Sequence, residues 1–175
     1  MMIRTAQIDE INLLNQLIEH SARELSQEDY TNQEIEGAIH SIFGVDKELI
    51  TDQTYYVMEQ EGSIVACGGW SKRKTLFGGE QCKTRAEGFL NPHTDYAKIR
   101  AFFVHPNHAR QGHGTMLLRY CEQQALSYGF TKMEMMATLP GVKLYQACGY
   151  QTIKAEYFAL PGGKQFKMLK MIKHF

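Results

Sequence analysis

Along the first third of the chain, apolar residues recur once per helical turn. Ile8, Ile11, Leu14, Ile18 and Ala22 put one apolar stripe on a helix over residues 8–25, after a short strand over 3–6. A second helix opens at Thr31, with Glu34 three residues on as the other half of a capping box. It turns Ile35, Ala38, Ile39 and Ile42 inward before Gly44 stops it. The pattern then becomes extended. TYYVMEQ (54–60) and SIVACGGW (63–70) are rich in strand formers and flank the turn pair Glu61-Gly62, so they read as an antiparallel hairpin. AKIRAFFVH (97–105) is the clearest strand. Leu117, Leu118, Cys121 and Ala125 mark the inner face of a helix over 114–128. TKMEMMAT (131–138) is a strand, and 139–147 is a short helix closed by Gly149. Two last strands, 150–159 and 164–172, meet at Pro161-Gly162-Gly163. The order β-α-α-β-β-β-α-β-α-β-β predicts one α/β domain over residues 1–175. Its sheet is mixed and mostly antiparallel, with at least one parallel β-α-β step and helices on its faces.

Residues 71–96 break this rhythm. They hold Gly78-Gly79, Gly88 and Asn91-Pro92 among scattered charges. A connection of this length in a compact domain is either functional, such as a lid over a substrate, or an insertion that is disordered or extends a strand. Both readings stand on sequence alone.

Composition narrows the classes. Lys+Arg and Asp+Glu balance at 19 each, so the chain has no electrostatic footprint for nucleic acid and no polybasic membrane anchor. Lys164, Lys167, Lys170 and Lys173 alternate with apolar residues and read as a strand with one solvated face. Cys67, Cys82, Cys121 and Cys148 form no CxxC pair, and no histidine stands at ligand spacing, so no metal site is expected. Cysteines spread through core elements fit a reduced, cytoplasmic protein. The N-terminus has no apolar signal core, and no apolar run reaches the length of a membrane span. The exposed edges of such a sheet leave room for a homodimer.

The candidate chemistry begins at Gly112-His113-Gly114, where a strand gives way to a helix. A helix start leaves backbone N–H groups unpaired and carries partial positive charge, and glycines there admit an anion close to the backbone. A phosphate loop of the GxxxxGK[ST] kind fails, because no lysine follows Gly114. A GxGxxG dinucleotide fingerprint fails as well, because Leu117 holds the third glycine position. A coenzyme A pyrophosphate loop remains.

Here the sequence resembles a known family. Val104-x-Pro106, then Arg110-Gln111-Gly112-His113-Gly114-Thr115, then Leu117-Leu118, is similar to the acetyl-CoA motif of the GNAT N-acetyltransferase superfamily, Arg/Gln-x-x-Gly-x-Gly/Ala between a strand and a helix. LYQACGY (144–150) is similar to the family's second landmark, a short helix ending in an aromatic after glycine. The motif's first position is Ala109 here, and Arg110 and Gln111 follow it.

The resemblance implies an N-acetyltransferase that uses acetyl-CoA as co-substrate and an amine of a small molecule or protein as acceptor. The alternative from another class is a non-catalytic acyl-CoA-binding module. The resemblance also implies a bulged strand before the loop, with the backbone of Phe102, Phe103 and Val104 meeting the pantetheine arm. Amides from Gln111 to Thr115, the Arg110 charge and the Thr115 hydroxyl suit two phosphates. His113 either faces solvent or makes a pH-sensitive phosphate contact. Tyr145 matches the family's tyrosine that protonates the leaving thiolate, and equally suits a core anchor. For the base, Glu134 and His105 are candidates beside ordered water. A salt bridge to Lys132 and a loop position are their respective ordinary explanations. Trp70, Tyr55, Tyr56, Phe77 and Phe89 are candidates to line an acceptor pocket, with Glu80, Glu87 and Asp95 to attract a cationic amine; core packing and a solvated loop face are the alternatives.

Overall fold

The computed structural model describes residues 1–83 and 85–175; Thr84, inside the 71–96 segment, lies outside them. Seven strands form one sheet: β1 (Met2–Thr5), β2 (Tyr55–Gln60), β3 (Ser63–Ser71), β4 (Ala97–Val104), β5 (Lys132–Thr138), β6 (Gln151–Ala159) and β7 (Gln165–His174). Their spatial order is β1-β2-β3-β4-β5-β7-β6. Neighbours are antiparallel except β4 and β5, which run parallel. The crossover between those two is α4 (His113–Tyr128), the expected β-α-β step.

Residues 55–58 of β2 are all buried, alternately on the two faces of the sheet, and show how the layers are built. Tyr55 and Val57 face α1 (Ile11–Leu25), where they meet Leu14, Leu17 and Ile18. Tyr56 and Met58 face α4 and pack with Leu117, Leu118 and Cys121. A third cluster joins Ile35 and Ala38 of α2 (Asn32–Ser41) to Met136, Phe166 and Met168 on the far half of the sheet. The Thr31 capping box forms as expected, with Glu34 N donating to the Thr31 hydroxyl (3.2 Å) and Thr31 N to the Glu34 carboxylate (2.9 Å). α5 (Val142–Ala147) follows a single 3₁₀ turn, Leu139–Gly141.

Two expectations need correction. A helix not foreseen, α3 (Lys47–Thr51), stands between α2 and β2, its N-terminus capped by Asp46. At five residues it is too short to show a period. The C-terminal strand does not turn its lysines to one solvated face. β7 is flanked by β5 and β6, and the three-residue spacing sends successive lysines to opposite faces. Lys170 reaches the buried Glu134 at 3.1 Å, and Lys173 reaches the buried Glu122 at 2.9 Å.

Residues 71–96 extend the β3 end and are strapped down. Arg73 bridges to Phe89, Leu90 N donates to Lys72 O (2.8 Å), and Lys74 N donates to Gly88 O (3.0 Å). Arg73 holds Asp52 through two bonds of 2.7 and 2.8 Å. Arg85 spans Asp46 and Glu48 at 3.0 and 2.7 Å.

Candidate active site

The site begins where the sheet comes apart. β4 and β5 pair only at Ala97↔Met133 and Lys98↔Glu134. Beyond Lys98 the two strands separate, and the β4 edge that faces β5 has no strand partner among the described residues. On its other side β4 carries a bulge. Cys67 pairs with Phe103 and Gly69 with Arg100, so Ala101 and Phe102 stand opposite the single residue Gly68. Ala101 takes φ +51°, which is unusual for a residue with a Cβ. The buried Tyr55 hydroxyl donates to the Ala101 carbonyl at 2.9 Å and fixes the bulge from β2. Gly68 is needed because a Cβ there would stand 2.7 Å from the Phe102 ring. The glycine pair inside the third strand was the sequence signal for this bulge.

A narrow cleft of about 60 Å³ occupies the gap. β4 lines it from Ile99 to Phe103, β5 and β7 add Met135, Met136 and Met168, and Tyr145 enters from α5. Ile42 and Phe43, just past α2, close the other side together with Phe77 and Gly78, the two residues of the 71–96 segment that reach the cleft. Sequence reasoning missed most of this lining. Ile42 carried only the signal of a helix face, and the three methionines that of core.

Among the lining residues the ionisable ones are Arg100 and Tyr145. Arg100 is buried and donates to Thr75 O (3.2 Å), Gly78 O (2.6 Å) and Asp46 Oδ2 (3.1 Å). Burial lowers its pKa, against the opposing pull of Asp46. Burial alone would raise Asp46, but hydrogen bonding to Arg85, the Arg100 charge and the Glu48 amide bring it below the usual carboxylate range. Tyr145 rests on Gly141, where a Cβ would stand 2.7 Å from its ring, and its phenol is pushed up chiefly by burial and then by Cys148.

The loop after β4 runs through a 3₁₀ turn, Pro106–His108, into two left-handed residues, Arg110 (φ +62°) and Gly112 (φ +85°). α4 starts at once, and the first bond of that helix runs from Met116 N to Gly112 O (3.0 Å). Amides up to Thr115 therefore have no helical acceptor. Arg110, Gln111 and Gly112 are exposed, and Gly114 and Thr115 half-buried. Gln111 braces the loop through Nε2 to Asn107 O at 3.2 Å. A Cβ at Gly114 would stand 3.4 Å from Leu144 on α5, an ordinary contact distance, so the packing there does not demand a glycine.

Other expectations fall apart from the cleft. His113 does not face solvent: it is buried, neither ring nitrogen has a hydrogen-bond partner among the described residues, and its ring lies 5.9 Å from that of His108. Glu134 does not bridge to Lys132, which donates instead to Thr94 O (2.7 Å). Glu134 is buried between Lys98 and Lys170 and is not part of the cleft lining. His105 caps the 3₁₀ turn, its Nδ1 accepting from Asn107 N at 3.2 Å, away from the cleft. Burial, then His20 and His108, lower its pKa. Of the proposed acceptor aromatics, Phe77 alone lines the cleft; Tyr55, Tyr56 and Trp70 are core, and Phe89 is exposed under Arg73. Glu80 accepts from Lys47 N (2.9 Å), Asp95 accepts from Asn91 N (2.7 Å), and Glu87 is exposed.

The fold as a whole is shared with solved structures. A GCN5-related N-acetyltransferase from Rhodopseudomonas palustris superposes with TM-score 0.73 at 16% identity, covering 99% of this chain and 95% of that one. The PaiA N-acetyltransferase of Thermoplasma acidophilum, solved with coenzyme A, gives 0.67 at 12% identity over 99% and 98%. A putative acetyltransferase from Salmonella typhimurium, solved with acetyl-CoA, gives 0.66 at 14% identity over 99% and 93%. No curated protein matches in sequence. The profile of the Acetyltransferase (GNAT) family matches residues 14–150, from the first turn of α1 past the end of α5, so the bulge, the loop and all of the cleft lining but Met168 lie inside it and the chain belongs to the GNAT acetyltransferase family.

Proposed function

We propose that residues 1–175 act as one domain that transfers the acetyl group of acetyl-CoA to a primary amine, by direct attack and without a metal. One observation carries this: an open, bulged strand edge at 101–104 runs within a few residues into a loop of unpaired amides at a helix start. Those two features suit the two ends of a phosphopantetheine ligand. Amides from Gln111 to Thr115, His113 and Gly114 included, hold the pyrophosphate, with the Arg110 guanidinium and the Thr115 hydroxyl beside them. Backbone groups of Phe102, Phe103 and Val104 on the unpaired edge take the pantetheine amides and polarise the thioester carbonyl.

The acceptor's lone pair attacks that carbonyl carbon. As the new C–N bond forms, the C–S bond breaks and sulfur leaves with its electron pair. Tyr145 gives its phenolic proton to the sulfur. Burial makes the phenol a weaker acid, but a thiolate in the same cleft, partly withdrawn from solvent, is penalised too, as Cys67 is when burial pushes it up to about 12. Neither Glu134 nor His105 lines the cleft, so the amine's proton leaves through water. The apolar lining favours an amine with an apolar body. Among the described residues no disulfide links the four cysteines, which supports a reduced, cytoplasmic setting.

A second reading, an acyl-CoA-binding module without turnover, is favoured by Ala109 at the motif's first position and by a cleft lining without a carboxylate. Heat unfolding with acetyl-CoA, CoA or ATP, then thiol release over an amine panel, separates the two. At about a hundred times its dissociation constant a ligand adds ~2.7 kcal/mol, a shift of several degrees. Stabilisation by the CoA compounds with thiol release supports transfer; stabilisation without release supports the module. No shift at saturation removes both. Tyr145→Phe should lower turnover at least about tenfold with little change in CoA affinity; unchanged turnover removes Tyr145 from the acid role.

A further inference from the structure

We propose that the acceptor amine carries a carboxylate seated by Arg100, and that the acceptor is an α-amino acid with an apolar side chain. The inference rests on the acetyl-transfer reading, which makes the cleft the acceptor's place. Arg100 is 2% exposed and lines the cleft. Its guanidinium donates to Gly78 O at 2.6 Å, and Gly78 is a lining residue too, so the charged head lies at the cleft wall. Further N–H groups go to Thr75 O (3.2 Å) and Asp46 Oδ2 (3.1 Å). Nε is left over: it is buried and has no hydrogen-bond partner among the described residues. A buried donor without an acceptor is costly, more so on a charged group. In the wall of a cleft it points to a ligand that supplies the acceptor.

The charges around Arg100 say what kind of acceptor that is. Its one carboxylate partner, Asp46, is shared, because Arg85 holds the same Oδ2 at 3.0 Å. Asp46 is not part of the cleft lining, and Tyr145, the other ionisable lining residue, is a neutral phenol. The formal charge at the wall is therefore a single positive one. A plain alkylammonium entering there meets a like charge. An amino acid enters as a zwitterion, and its carboxylate takes the Nε–H in a charge-assisted bond. A phosphoryl group would bring more oxygens than one free N–H can satisfy, against walls of methionine and phenylalanine. Chain order sets the spacing. Arg100 runs straight into the bulge at Ala101 and Phe102, and so into the strand edge that takes the thioester. Anion seat and reacting carbon share one short stretch of β4, which suits an amine and a carboxylate on the same carbon. The remaining substituent then faces Met135, Met136, Met168 and Phe77, which fit an apolar side chain.

The test sets leucine, valine and phenylalanine beside their amides and their decarboxylated amines, on the wild-type chain. Thiol release from acetyl-CoA is read first, then heat unfolding without acetyl-CoA. For at least one of the three acids, kcat/KM should exceed that of both its analogues by at least about tenfold. The amide's amine is the weaker base and keeps more of its free form at neutral pH, so a preference for the acid comes from the carboxylate. The same acid, and not its amide, should raise the unfolding temperature. Arg100→Lys keeps a positive charge but loses Nε–H, and should shrink the ratio toward one, with circular dichroism confirming its fold. Amides or plain amines turned over as well as the acids would overturn the carboxylate seat and leave acetyl transfer standing. Stabilisation by an acid, with no thiol release from any amine, would keep the seat and remove the transfer. Neither release nor stabilisation with any of the three acids would overturn the proposal.

Discussion

The two glycines at the mouth of α4 look alike in sequence and do different jobs. Gly112 is there for its backbone: φ is +85° and a Cβ would meet nothing within 4 Å. Gly114 lies inside the helix, where a Cβ would make only ordinary contact with Leu144 at 3.4 Å, so neither backbone nor packing demands a glycine and what it keeps clear is the proposed phosphate site. Gly112→Ala should therefore cost about 1–2 kcal/mol, the penalty of holding an L-residue in the left-handed region, and weaken CoA binding only through the loop shape. Gly114→Glu should abolish CoA binding, because bulk and negative charge enter the phosphate site. Titration of both variants with CoA checks this, and an affinity that survives Gly114→Glu places the pyrophosphate elsewhere. His113, between them, shows what sequence hides. A polar residue between two exposed-looking glycines reads as solvated, yet the helix turns its ring inward toward His108. Nothing in the local pattern signals that choice, which belongs to the packing of the loop against its neighbours.

At the scale of elements, strand and helix positions were largely legible, because period two and period 3.6 are local. How far two strands stay paired is not local. β4 and β5 look like full neighbours in sequence, and the separation after Lys98 appears only with the fold. The partners of Glu134 were hidden for the same reason, as Lys98 and Lys170 come from strands on either side of β5. The one parallel junction of the sheet is thus sealed by a carboxylate between two ammonium groups just where the strands part. Glu134→Gln leaves the buried Lys98 and the half-buried Lys170 without their shared charge partner and should cost about 3 kcal/mol. Denaturant midpoints should fall by that amount, while the pH–rate profile keeps its shape. A collapse of turnover at unchanged stability would instead make Glu134 the base.

At the scale of the whole molecule, the sheet is two halves, β1–β4 and β5–β7–β6, that share two residue pairs. The first half gains rigidity from a charge network outside the sheet. Arg73, Arg85 and Arg100 face Asp46, Glu48 and Asp52, and together they fasten the 71–96 segment and α3 onto β4. Asp46 is the centre, buried against two guanidinium groups, and its folded pKa lies below the ordinary value of 3.8. A depressed carboxylate lends stability that is complete above its unfolded pKa and is lost as pH falls through the folded one. Glu10, lowered by its hydrogen bond to Arg4, acts in the same direction. Asp46→Asn removes the charge at every pH and leaves Arg100 buried without its ion partner. At neutral pH the variant should be less stable by about 3–5 kcal/mol. The gap should narrow as the wild type itself takes up the proton, well below pH ~4. Urea midpoints of both proteins across that range measure it. Because Phe77 and Gly78 ride on the same segment, loosening the network should also raise the KM for the amine more than that for acetyl-CoA, whose loop stands on α4. A constant stability gap from neutral to acid would show that Asp46 contributes shape and not charge.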